Sequence, residues 1–112
     1  MASRFEKPVT NSTDAAGSAE FIVEDYKLFT GRFIFTVTGG SPTCTYAVKL
    51  KGSAAETTST AYVKASGTVT ANSDILINNN DGDGAPMTVY SILVEWSSMA
   101  DGVVNIGLRK TY

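Results

Sequence analysis

Histidine is absent from this chain, and cysteine occurs once, at Cys44. The first absence removes the commonest general base and the commonest metal ligand. The second excludes an intrachain disulfide. Charge is sparse at 18% of residues, the formal net charge is -2, and the isoelectric point is near 4.9. The longest basic run is Arg109-Lys110. A nucleic-acid binder neutralises phosphates with clustered Lys and Arg, so no nucleic-acid partner is expected. No apolar run approaches the ~20 residues of a membrane-spanning helix, and the opening residues carry no apolar signal-peptide segment. The expectation is a chain made in the cytoplasm of its host, with no membrane partner. Asn11-Ser12-Thr13 matches a glycosylation acceptor, and without a secretory signal it reads as a chance match.

What is present is a β pattern. At 112 residues the chain is expected to form one core, burying roughly 65% of its unfolded surface. In GRFIFTVTGG the period is two, with Phe33, Phe35 and Val37 on one side and Arg32, Ile34, Thr36 and Thr38 on the other. PTCTYAVKLKG sets Cys44, Tyr46, Val48 and Leu50 against Thr45, Ala47, Lys49 and Lys51. That is a strand with one wet face. TVYSILVEW aligns Tyr90, Ile92, Val94 and Trp96, opposite Val89, Ser91, Leu93 and Glu95. With apolar residues on both sides, this strand should be central. VVNIGLRKT turns Val104, Ile106 and Leu108 inward. Gly, Pro, Ser and Asp clusters separate the runs. Strands are placed near 20–28, 31–38, 43–51, 56–64, 67–78, 87–97 and 103–110. Seven to eight short strands at this spacing predict an all-β fold, an antiparallel β-sandwich or jelly roll. Residues 53–61 could form a helical turn or two at most.

The domain is placed at 19–112. Residues 1–18 are small, polar and aperiodic, with Phe5 and Val9 as the sizeable apolar groups. Such a segment buries too little surface to offset its ordering entropy, so a flexible, extended N-terminal arm is expected. Phe5 and Val9 would anchor it on a partner, with Arg4 and Lys7 adding polar contacts.

Candidate chemistry is thin. Asn79-x-Asp81-x-Asp83-Gly84 imitates the start of an EF-hand loop, but Tyr90 stands where a bidentate glutamate is required. Asn, Asp and Gly are also what a connection between strands uses, and the stretch reads as a turn. Glu95 beside Trp96 suggests a glycosidase carboxylate near an aromatic platform, with Asp74, Glu56 or Asp101 as second carboxylate. Strand alternation sends Glu95 and Trp96 to opposite faces, which separates them. Cys44 alternates with core residues and has no base to activate it. The reading is a protein without catalytic residues, cofactor or metal, and not an enzyme.

The MASRFEKPVTNSTDAAGSA opening, the Thr- and Gly-rich β-domain behind it and the missing catalytic set together resemble the small capsid decoration (cement) proteins of tailed bacteriophages. The resemblance implies a structural virion protein at the capsid surface, with the major capsid protein as partner. It also implies self-association as a dimer or trimer, and an arm lying across the shell. A carbohydrate- or receptor-binding module of a phage fibre, or another small tail, neck or coat component, stays open beside it.

Overall fold

A computed structural model describes residues 3–22, 28–78 and 89–111, with side-chain surroundings for 9–22, 30–77 and 89–107. The Asn79–Gly84 loop pattern therefore lies outside the described residues. The described residues form eight strands: β1 (Ser3–Ser12), β2 (Gly17–Ile22), β3 (Leu28–Val37), β4 (Thr43–Lys51), β5 (Tyr62–Val69), β6 (Ser73–Asn78), β7 (Ser91–Ala100) and β8 (Gly102–Thr111). They build two four-stranded antiparallel sheets, ordered β1-β8-β3-β6 and β2-β7-β4-β5. The chain changes sheet at nearly every connection; only β4 and β5 are consecutive neighbours in one sheet. This interleaving of two four-stranded sheets is the jelly-roll form of the β-sandwich.

Between the sheets lie Phe33, Phe35, Val104 and Ile106 from one and Cys44, Val48, Leu50, Ile92, Val94 and Trp96 from the other. All are inward members of the alternations seen in the sequence. The Phe33 and Tyr46 rings stack across the gap at 5.7 Å. β7 is central, flanked by β2 and β4, as its two-sided apolar pattern requires.

At one end of the sandwich a single residue secures two sheet crossings. Asp101 alone separates β7 from β8 and adopts φ 54°. Its carbonyl accepts hydrogen bonds from the Thr38 and Gly39 N–H groups, and its Oδ2 accepts one from the Ser41 N–H. The β3–β4 connection is thereby held against the β7–β8 corner. A Cβ at Gly102 would run into the Phe35 ring, so this corner needs glycine.

The N-terminal segment departs from the expected arm, and the expected boundary at residue 19 does not match the strands. β1 pairs with β8 from Ser3↔Thr111 to Ser12↔Val104, and β2 starts at Gly17 against Trp96. Backbone pairing and a few inward contacts, among them Val9 and Ala19 on the core, replace the apolar periodicity that the composition lacks.

Two further strands were misplaced by the pattern. Residues 52–61, expected to open a strand at 56, form turns. Thr57 N–H donates to Thr60 Oγ1 and Ala61 N–H to the Thr57 carbonyl. Local threonine hydrogen bonds thus outcompete a ladder. The single run expected at 67–78 is two strands in different sheets. At its bend, Asn72 Oδ1 accepts the Val37 N–H at 2.7 Å, and Ser73 Oγ donates to the Ala71 carbonyl.

Candidate functional site

The outer face of β2-β7-β4-β5 gathers most of the described polar side chains that meet one another. Alternation turns Lys49 and Lys51 of β4, Ser91 and Glu95 of β7, and Glu20 of β2 away from the core. The register sets Glu20 beside Leu93, Ala47 beside Glu95, and Lys51 beside Ser91. Opposite charges therefore share one face, Lys49 and Glu95 on the neighbouring strands β4 and β7, and Lys51 and Glu20 reaching each other across β7.

Two clusters result. Lys51 Nζ lies 3.1 Å from Glu20 Oε2, and Ser91 Oγ donates to the same oxygen at 2.8 Å. Lys51 and Ser91 are both buried. The Ser91 hydroxyl, with help from the Lys51 ammonium and against partial burial, holds the Glu20 carboxyl below its ordinary range. In the second cluster Lys49 Nζ lies 2.8 Å from Glu95 Oε1 and donates to the Thr58 carbonyl and hydroxyl. Thr58 Oγ1 in turn donates to Glu95 at 2.7 Å. Burial pushes the Glu95 carboxyl upward, but the Lys49 and Thr58 hydrogen bonds outweigh it and the net shift is downward. Thr58 belongs to the β4–β5 connection, so this cluster pins that connection onto the sheet.

Beside Glu95 an open depression of about 390 Å³ runs over Ser18, Thr45, Ala47 and Ser97 towards Trp96 and Gly17. Ser18, Thr45 and Ser97 supply hydroxyls, and the aromatic residues Tyr46 and Trp96 also line it. Glu95, the carboxylate at its rim, is already engaged by Lys49 and Thr58. A carboxylate held ionised and ion-paired is poorly suited to general acid work, which needs a raised pKa.

The residues weighed for chemistry lie apart. Asp74 pairs with Arg32 on the other sheet, Glu56 Oε1 accepts the Gly52 N–H, and Asp101 serves its corner. Trp96 is buried on the face opposite Glu95, its Nε1 donating to the Asp14 carbonyl. Cys44 is fully buried, and burial raises its thiol pKa. Among the described residues no three His, Cys, Asp or Glu side chains converge as metal ligands.

The expected partner contacts fall on the edge strand β1. Arg4 stands opposite Lys110 and Phe5 opposite Arg109, while Lys7 sits in the register break between Glu6 and Val9. Val9 is partly buried and packs against the chain's own core. Both ion clusters escaped the sequence reading. The face bearing Lys49 and Lys51 and the face bearing Ser91 and Glu95 were both visible in the sequence, but the pairing that sets β7 between β2 and β4 was not.

No protein-family model matches the chain, and no curated protein does. Among solved structures it is similar to a chain of infectious bursal disease virus, Gt strain, at 13% identity and a TM-score of 0.38. That likeness covers 97% of this chain and 32% of the viral one. For the Gx strain the identity is 10%, the TM-score 0.33 and the coverage 97% and 39%. For the T13 viral particle of the same virus the figures are 13%, 0.27, 96% and 38%. The chain thus spans 32–39% of the chains it resembles.

Proposed function

We propose that this chain is a virion structural protein of the decoration (cement) type, located at the capsid surface and acting by protein–protein contact with the major capsid protein. The observation that carries the reading is the jelly-roll strand order, β1-β8-β3-β6 over β2-β7-β4-β5. Jelly rolls serve as viral capsid and lectin domains and as cupins. A sugar-binding module presents several aromatic platforms to solvent, whereas among the described residues Phe33, Phe35 and Trp96 are buried, Tyr46 is half-buried against Phe33, and Tyr62 is exposed on β5. A fold hosts many functions, so the surface has to agree. Its outer face is hydroxyl-rich, with its carboxylates already paired, which suits broad, wet contacts with other proteins.

Within this reading Arg4, Phe5 and Lys7 are assigned to the shell contact, with β1 as an edge strand rather than a free arm. Val9 is assigned to the fold. The purified chain should co-sediment with empty shells of the virus that encodes it and ignore polysaccharide columns. Phe5→Ala should weaken shell binding about tenfold, a loss of one buried aromatic contact. Binding to polysaccharide without binding to shells would transfer the chain to the receptor-binding class.

A further inference from the structure

The four sheet edges are not equally guarded. Unpaired strand edges invite pairing with other chains, and proteins blunt them with bulges, prolines and lysines. β1 contains Lys7 and Pro8, and its pairing with β8 breaks register twice. β5 carries a register shift in which Lys64 is the extra residue. β2, six residues long like β6, pairs without a break but opens with Gly17 and Ser18 and carries Glu20. β6 has no bulge, proline or lysine. It pairs with β3 without a break from Asn78↔Thr30 to Ser73↔Phe35, and its centre reads Ile75-Leu76-Ile77. Its charge, Asp74, is drawn onto Arg32 of the neighbouring strand at 3.2 Å. Leu76 is 50% exposed. Among the described residues no strand pairs with β6 on its other side.

We infer that β6 is a self-pairing edge, joining two copies of this chain antiparallel about a two-fold axis. The strand is complementary to itself in one register. Residues directly opposite in a sheet share a face. Ile75 and Ile77 turn towards the core and Asp74 and Leu76 away from it. With the axis at Leu76, Leu76 meets the partner's Leu76, Ile75 meets the partner's Ile77, and Asp74 meets the partner's Asn78. Apolar residues then meet apolar ones, and no carboxylate faces another. Moving the axis to Ile75 would set Asp74 against the partner's Leu76 and Ser73 against the partner's Ile77. The Leu76 register makes one continuous eight-stranded sheet, and the blunted outer edges stop growth at two copies. The inference deepens the proposed function by naming one of its contacts, and it rests on edge chemistry rather than on that reading.

Sedimentation of the full chain tests it, with Leu76→Lys against Val63→Lys. The two positions are matched in exposure, at 50% and 48%, but Val63 lies on the blunted edge β5. The intact chain should dimerise at tens of micromolar. Leu76→Lys, which opposes two cations at the axis, should weaken the dimer at least about tenfold, and Val63→Lys should leave it. Leu76→Cys should cross-link to itself on oxidation, while the parent chain, whose Cys44 is fully buried, should not. A monomeric parent, a Leu76→Lys dimer as tight as the parent's, equal weakening by Val63→Lys, or failure of the Leu76→Cys cross-link would each overturn the inference. A chain that pairs through β6 yet ignores capsid shells would keep it and sink the decoration reading.

Discussion

Phe33, Phe35, Val104 and Ile106 on one sheet and Cys44, Val48, Ile92 and Val94 on the other are all 1% exposed or less, so the two inner faces are equivalent. The outer faces are not. On β2-β7-β4-β5, Lys51 and Ser91 point away from the core and are buried nonetheless, closed over by Glu20, while Thr58 covers Lys49 and Glu95. On β1-β8-β3-β6 the ion pair described is Arg32–Asp74, with side chains 57% and 51% exposed. Asn11 and Asn105 hydrogen-bond each other nearby. Charge on a solvated sheet face becomes structural where neighbouring strands and a covering connection exclude water from it. An open pair on the same kind of surface contributes little.

The largest expected effect removes what both sheets share. Deleting residues 2–18 takes β1 from one sheet and the start of β2 from the other. The cooperative thermal transition should disappear by circular dichroism. An unchanged transition would restore the free-arm picture that composition suggests. Next comes the contrast between the outer faces. Lys51→Ala should cost about 1–2 kcal/mol in urea unfolding, less than the roughly 3–5 of a fully buried pair because the Glu20 side chain is 36% exposed. Arg32→Ala should cost no more than about 0.5 kcal/mol. Equal costs would erase the distinction between the two faces.

The smallest effect is in acid. Glu20 and Glu95 both have folded pKa values lowered from 4.5. A carboxylate with a depressed folded pKa contributes stability that is present above its unfolded pKa and lost as pH falls through the folded one. The parent chain should therefore lose stability progressively below about pH 4.5, in the window these two lowered values define. Ser91→Ala removes the leading cause of the Glu20 shift, so unfolding curves from neutral to acid pH should be flatter for it than for the parent. An unaltered slope would mean the Ser91 hydroxyl does not stabilise the carboxylate.

The inner halves of the strands were legible because alternation needs only one buried face. The 43–51 strand was read with its final bounds and its inward members Cys44, Val48 and Leu50. The connection at 52–61 was not legible, since Thr57 and Thr60 have the β-branched shape of strand residues but spend their hydroxyls within the turn, Thr60 on the Thr57 backbone and Thr57 on the Ser59 and Thr60 hydroxyls. β1 was missed for the opposite reason. Its polar sequence offers no period to read, and it is held largely by pairing with β8 at the edge. Of the candidate site, the face bearing Lys49 and Lys51 and the face bearing Ser91 and Glu95 could be seen, and the pairing that sets β7 between β2 and β4 could not.

By itself the sequence determined an all-β chain with its core residues already sorted from its surface ones, because side-chain direction along a strand follows a period of two. Tertiary structure alone decided which strand lies beside which. Glu20 reaches Lys51 over 31 residues and Ser91 over 71. Whether a lysine is a solvated charge or half of a buried pair depends on that placement, and no local pattern encodes it.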